Sequence, residues 1–197
     1  MALRSEAFQQ FIDAALAAFG RHARDPESRR TIRQISAALE TPGVERSGPG
    51  RRLPTCSHLE GALAAASAHE ALRPLVERFK ALEPRLQWSN RSEVDASASR
   101  NFASSHANAM IVGPGGLEAR KDIWLGVSLL APNVRYPDHD HAPEEVYLVL
   151  SEGEFWHGKD PWFSPGIGGS FYNEPGIRHA MRSGDKPLFA FWALQSA

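Results

Sequence analysis

The texture of this chain changes abruptly near its middle, and that change constrains the fold more than any single motif. Up to about residue 85 the sequence is rich in Ala, Leu, Arg and Glu, with apolar residues at helical spacing. After about residue 106 Gly, Pro, aromatic and β-branched residues take over, in short runs broken by turn clusters. Side chains return to one face after roughly 3.6 residues in a helix and about 2 in a strand, so one pattern cannot serve as the other. The expectation is a mainly β chain with an α-helical N-terminal part: a helical segment over residues 1–100 and a β-rich unit over 101–197.

In the first half Phe8, Phe11, Ile12, Leu16 and Phe19 form one apolar stripe, with Gly20 as a stop. Asp25-Pro26 offers an N-cap followed by proline in the first helical position, ahead of Ile32, Ile35 and Leu39. Residues 41–54 hold Pro42, Gly43, Gly48, Pro49 and Gly50 and read as a loop. Leu59, Leu63, Leu72, Leu75, Phe79 and Leu82 predict one or two further helices, with Pro74 at a break or in a first turn. These stripes are expected to dock on the β-rich unit, either covering the mouth of a site or building a homodimer surface. His22, His58 and His69 are expected at the surface or in caps, and Cys56 in a structural role.

In the second half short runs are expected as strands over 109–112, 123–130, 145–150, 155–157, 169–172 and 188–194. Clusters such as Gly113-Pro114-Gly115-Gly116 and Ser183-Gly184-Asp185 separate them. Many short strands at near-regular spacing suggest a sandwich or small barrel.

Composition narrows the function. Lys+Arg is 22 against Asp+Glu 23, a net charge of −1, which supplies no basic surplus for nucleic acid. A single cysteine excludes an intrachain disulfide. The opening MALRSEAFQQ lacks a long apolar run, and no stretch reads as a membrane span, so a cytoplasmic protein without nucleic-acid or membrane partners is expected.

Chemistry concentrates in Tyr136-Pro137-Asp138-His139-Asp140-His141-Ala142-Pro143-Glu144-Glu145-Val146-Tyr147. On a strand His139 and His141 point the same way; Glu145 and Tyr147, beyond the turn at Ala142-Pro143, do the same. Imidazole, carboxylate and phenol can therefore converge, as a divalent transition metal requires, with His179 as a further candidate from a later strand. His157 has no motif around it and is left aside.

The spacing His139-x-His141-x3-Glu145, then Gly168-x5-Glu174-Pro175-Gly176-x2-His179, resembles the two motifs of the cupin superfamily. Its ligand positions match closely and its turns loosely. Gly153 falls one residue late, Glu174 stands at the usual proline, Ser183 replaces an asparagine, and the glycine expected before His139 is missing. The longer runs Tyr136-Pro137-x-His139-x-His141-x-x-Glu144-Glu145-x-Tyr147, Gly153-Glu154-Phe155-Trp156 and Tyr172-x-Glu174-Pro175-Gly176-x-x-His179-Ala180-Met181 resemble the cupin-type dimethylsulfoniopropionate lyases of marine bacteria, the DddQ type most of all.

The resemblance implies a cupin double-stranded β-helix, a jelly-roll barrel, behind the helical segment. It implies one divalent transition metal on His141, Glu145, Tyr147 and His179, with Tyr136 as a second active-site tyrosine. Two His, one Glu and one Tyr suit Fe, Zn, Mn, Co or Ni. The implied reaction splits a small zwitterion into acrylate and dimethyl sulfide by β-elimination.

A metal near Tyr147 favours its phenolate, which makes Tyr147 the first candidate base and Tyr136 the second. His139 is a ligand by general cupin precedent and a neighbour or acid/base group by the narrower resemblance. A sulfonium should sit against aromatic faces. Tyr136, Trp124 and Trp192 lead a pool that also holds Trp156, Trp162, Phe171 and Tyr172. Two other readings fit the scaffold, an Fe(II) dioxygenase and a non-catalytic small-molecule-binding cupin. Tyr147 speaks against both, because the broader ligand set has no tyrosine there.

Overall fold

A computed structural model describes residues 4–91 and 95–195. Helix α1 (Glu6–His22) is followed by α2 (Pro26–Leu39), and the Asp25 side chain caps α2 by accepting from the Ser28 N–H at 2.7 Å. The short strand β1 (Val44–Glu45) precedes α3 (Leu59–Ala68), α4 (Arg73–Leu82) and β2 (Trp88–Ser89). A one-turn helix, α5 (Phe102–Ser105), then leads into β3 (His106–Val112), β4 (Glu118–Ala119), β5 (Ile123–Leu130) and β6 (Glu144–Val149). The chain ends with β7 (Glu154–His157), β8 (Ser170–Asn173), β9 (His179–Arg182) and β10 (Leu188–Gln195).

Three expectations need correction. Helix α1 runs through Gly20, which is exposed, and gains a last turn whose His22 packs on Gly168; a surface glycine weakens a helix without ending it. The loop expected over 41–54 contributes β1, which pairs antiparallel with β4 through Val44↔Ala119 and Glu45↔Glu118. His22 is half-buried against Gly168 rather than at the surface, whereas His58 and His69 stand at the two cap positions of α3 as expected. Pro74 lies in the first turn of α4, where its missing N–H costs nothing.

The larger sheet runs β1-β4-β3-β5-β10-β6-β8, with β2 paired to β3. The smaller sheet pairs β7 with β9. The segment before His139 extends it, since Tyr136 N–H donates to Met181 O at 2.9 Å and His139 and His179 exchange backbone bonds at 3.0 and 2.9 Å. Together the two sheets form the double-stranded β-helix of a cupin, with the helices packed outside it.

Strict alternation separates two cores. On β10, Phe189, Phe191 and Ala193 face the helices, while Leu188, Ala190 and Trp192 face the barrel interior. On β6, Val146 and Leu148 join the helical core while Tyr147 and Val149 point inward. Phe11 of α1 and Phe79 of α4 meet Phe191 with ring centroids 6.1 and 5.3 Å apart. Each fully buried Phe contributes about 1.5–3 kcal/mol, so this outer core anchors the helices to the sheet. The site belongs to the inner face.

Candidate active site

The inner face forms a cavity of about 180 Å³ lined by Asn108, Met110, Trp124, Ser128, Tyr136, His139, His141, Glu145, Tyr147, Met181, Trp192 and Leu194. Every one of the predicted site residues except His179 lines it, and His179 meets Glu145 at its edge. The two sheets supply different groups. Glu145 and Tyr147 come from β6 in the large sheet, and His179 from β9 in the small one. His141 comes from the irregular segment between the sheets.

The strand expected to align His139 with His141 is absent. His139 makes a lone bridge to His179, and His141 lies in irregular chain held by its own ring. Alternation therefore does not account for their convergence; local ring-to-backbone bonds do. His139 Nδ1 meets Pro137 O at 3.0 Å, His141 Nδ1 meets Pro143 O at 2.8 Å, and His179 Nδ1 meets Ile177 O at 2.9 Å. A carbonyl only accepts, so each Nδ1 carries the hydrogen and, in a neutral ring, each Nε2 keeps its lone pair.

His141 Nε2 lies 3.4 Å and His179 Nε2 3.3 Å from Glu145 Oε2. The three ligand atoms fall within 4.8 Å of one another. Both Nε2 atoms are buried with no hydrogen-bond partner. Orphaned buried nitrogens are rare, and here two of them flank a buried carboxylate with their opposite ring nitrogens anchored, as in metal centres. His139 stands beside this cluster, its ring centroid 4.1 Å from that of His179.

The charges reinforce one another. Burial works against the ionised Glu145, but His141, His179 and the Asn173 amide outweigh it and hold the carboxyl below its ordinary range. Burial opposes the His141 cation too, and Glu145 raises its pKa nonetheless. His179 is shifted down, by burial foremost. His139 is pushed down to about 3, first by burial and then by His179.

Tyr147 is buried, stacks on Phe171 at 5.0 Å, and has its phenol pKa raised by burial and then by the Glu145 charge. Burial also raises Tyr136, opposed by the Arg91 charge and by Asn108 Nδ2, which donates to its hydroxyl at 3.0 Å.

Trp124 and Trp192 form an aromatic wall. Trp192 Nε1 donates to Ser128 Oγ at 3.1 Å, and its indole lies over Gly126, its register partner on β5. A Cβ at residue 126 would sit 2.3 Å from the ring, so only glycine leaves it room. The rest of the aromatic pool divides. Phe171 backs Tyr147, Trp156 and Trp162 pack together at 6.4 Å away from the cavity, and Tyr172 turns outward to donate to Glu144 at 2.7 Å.

Asn173 was not singled out in the sequence and His157 was set aside, yet Asn173 Nδ2 donates to Glu145 Oε2 at 3.0 Å and His157 Nδ1 donates to Asn173 Oδ1 at 2.8 Å. Asn108, Ser128, Met110 and Leu194 are further cavity residues without a motif, and Met181 ends the run that holds His179. Only the period of two along β3, β5 and β10 could have suggested the first four.

Comparison with known proteins agrees with this picture. The profile of the dimethylsulfoniopropionate lyase family matches residues 27–190. A Cereibacter sphaeroides protein assigned as the dimethylsulfoniopropionate lyase DddL is 25% identical over 158 residues, covering 80% of this chain and 66% of that protein. The dimethylsulfoniopropionate lyase DddQ of Ruegeria pomeroyi is 31% identical over 91 residues, covering 46% of this chain and 45% of its own length. The chain thus spans less than two thirds of either relative.

Among solved structures, the R. pomeroyi DddQ crystal structure aligns with a TM-score of 0.73 at 24% identity, over 98% of this chain and 93% of that one. A second structure, described with the lyases RdDddP and RnDddQII, aligns with a TM-score of 0.77 at 24% identity, over 97% and 93%. At that identity these two alignments carry the fold alone.

Proposed function

The chain belongs to the dimethylsulfoniopropionate lyase family, and from that premise we propose that it cleaves dimethylsulfoniopropionate to acrylate and dimethyl sulfide by metal-dependent β-elimination. The observation that carries the reading is the pair of orphaned Nε2 atoms on His141 and His179 flanking Glu145, in an aromatic cavity that also holds two tyrosines.

That donor set fits a transition metal, held by His141, Glu145 and His179 with Tyr147 beside them as the fourth ligand the resemblance implies. A divalent Fe, Zn, Mn, Co or Ni bound there would act as a Lewis acid toward the substrate carboxylate and favour the phenolate of Tyr147. The described lining residues include no Lys or Arg, but the Arg91 guanidinium stands beside Tyr136, so the substrate's carboxylate is offered that charge as well as the neutral donors Asn108 and Ser128. The sulfonium is offered the faces of Trp124, Trp192 and Tyr136.

The reaction needs a base for the proton next to the carboxylate. Tyr147 is the first choice and Tyr136 the second. As the phenolate takes the α-proton, the C–H electron pair forms the acrylate double bond. The β-carbon–sulfur bond breaks, and dimethyl sulfide leaves with that bond's electrons. His139, whose ring centroid lies 5.0 Å from that of Tyr136, is the next acid/base candidate. The helices of residues 1–100 serve as a cover docked on the barrel of 101–197. We read the protein as cytoplasmic, without nucleic-acid or membrane partners; no helix among the described residues is long and apolar enough to cross a membrane.

The direct test is headspace dimethyl sulfide from purified protein plus dimethylsulfoniopropionate, with and without a chelator. Release that the chelator abolishes and added metal restores is expected. Turnover untouched by chelation removes the metal from the scheme. Turnover of another substrate only in the presence of oxygen would favour the dioxygenase reading.

A further inference from the structure

Glu145 is gripped by a side chain from β8 that no step of the reaction uses. Its register partner on β8 is Asn173, so both side chains leave the large sheet on the same face. His157 is the register partner of His179 on the small sheet, and it reaches Asn173 across the gap between the sheets. The result is a bridge beside the His141–Glu145–His179 cluster, with links of 2.8 and 3.0 Å.

We propose that Asn173 and His157 form a positioning pair that sets which way the Glu145 carboxylate faces and thereby tunes metal affinity; this rests on the metal-site reading above.

The chemistry of each link is forced by the next. The Glu145 carboxylate only accepts, so Asn173 must present its NH2 to it. The amide oxygen of Asn173 then faces His157, so His157 Nδ1 must carry a hydrogen. A flipped Asn173 amide would set its oxygen against the carboxylate and its NH2 against the His157 N–H, losing both bonds. Asn173 is 1% exposed, so water cannot replace either partner. The pinned oxygen is Oε2, the same atom that faces both imidazoles. Loss of Asn173 frees the carboxylate to rotate; loss of His157 frees the amide to flip.

The test is Zn²⁺ affinity by competition with a chromophoric chelator, together with the visible spectrum of the Co²⁺-loaded protein. Asn173→Ala and Asn173→Asp should weaken Zn²⁺ binding by about 10–100-fold, the usual cost of losing a partner of a metal ligand. His157→Phe should weaken it in the same direction, and His157→Gln, which keeps an N–H donor, should recover part of the loss. The double variant Asn173→Ala/His157→Phe should be no worse than Asn173→Ala alone, because both act through one bond chain. The Co²⁺ spectrum should shift in each weakened variant, which a general loss of packing would not cause. Should the Asn173 variants fail to fold, the half-buried His157 position carries the test alone. Wild-type binding with unchanged affinity and spectrum in His157→Phe overturns the pair, as do losses that add independently in the double variant. A wild-type protein that binds no metal overturns the metal-site reading and the pair with it.

Discussion

The Nε2 of His179 lies 3.3 Å from Glu145 Oε2, although the two residues belong to different sheets. The barrel holds them face to face, and His141 closes the third side at 3.4 Å from the same oxygen. His141→Ala and His179→Ala should each lose bound metal and turnover. In the wild type, metal at 100 times its dissociation constant should stabilise the fold by about 2.7 kcal/mol, read as a rise in thermal midpoint. Full metal occupancy in both alanine variants would show that the ligands lie elsewhere.

Gly126 gives a prediction of a different kind. Its missing Cβ leaves space for the Trp192 indole, which a methyl group would meet at 2.3 Å, with Ala109 O at 2.7 Å behind it. Gly126→Ala should therefore cost about 1–3 kcal/mol of stability and displace Trp192 from the cavity wall. If Trp192 contacts the sulfonium, KM should rise more than kcat falls. Urea unfolding and steady-state kinetics check both effects. A variant as stable as the wild type with unaltered KM would mean that the indole has room to move and no substrate to hold.

Acid should weaken the metal-free protein through its buried imidazoles. His139 titrates at about 3 when folded, whereas an unfolded His takes up its proton near 6.5. His106, fully buried, is also shifted down, by burial foremost. Between about pH 6.5 and pH 3 the unfolded chain binds protons that folded His139 refuses, so stability falls as pH drops through that window, by up to roughly 1.4 kcal/mol per unit for that group. Above pH 6.5 the term vanishes. Urea midpoints at pH 7.5 and 5 should separate strongly for the wild type and less for His139→Gln. Equal slopes would remove His139 from the account.

The helices cover the outer face of the large sheet, where Ile111, Leu125, Val127, Leu148, Phe189 and Phe191 are buried in the same core as Phe8, Phe11 and Phe79. A chain reduced to 101–197 would expose this face, and a contiguous apolar patch of that kind drives association. Such a fragment should be recovered as aggregate. A monomeric fragment with full metal content and turnover would make the helices dispensable.

What the sequence revealed follows the range over which each signal acts. The run over 123–130 alternates and ends in turn clusters, and β5 occupies those residues. Asp25-Pro26 carries its cap chemistry in adjacent residues, and α2 begins there. His141, Glu145 and His179 were visible because their spacing resembles the two cupin motifs, although His141 itself lies in irregular chain rather than on a strand. By contrast β9 begins at His179 itself, and four residues are too few for a period to show. The link between Asn173 and His157 was invisible for a deeper reason. Their meeting depends on the registers of β6 with β8 and of β7 with β9, which no local pattern specifies. The His139–His141 alignment failed because short bonds from each ring to a nearby carbonyl, rather than a strand ladder, orient those rings.

The two tyrosines differ in surroundings, and that difference frames the last prediction. Tyr147 lies on β6 two residues from Glu145, whose charge opposes its ionisation until a cation is bound. Tyr136 has Asn108 donating to its oxygen and the Arg91 guanidinium carbon 6.0 Å from its ring centroid, both of which favour a phenolate against its burial. If Tyr147 is the base, Tyr147→Phe should lower turnover by about 10²–10⁴-fold. Substrate binding should change less, because the ring remains. Its rate should also lose the metal dependence of proton exchange at the substrate's α-carbon, which deuterium incorporation from heavy water reads directly. Tyr136→Phe should then retain exchange and show a smaller loss. Near wild-type release of dimethyl sulfide by Tyr147→Phe, with an inactive Tyr136→Phe, would reverse the two roles. Activity in both variants would show that the base is neither tyrosine and make His139 the next group to test.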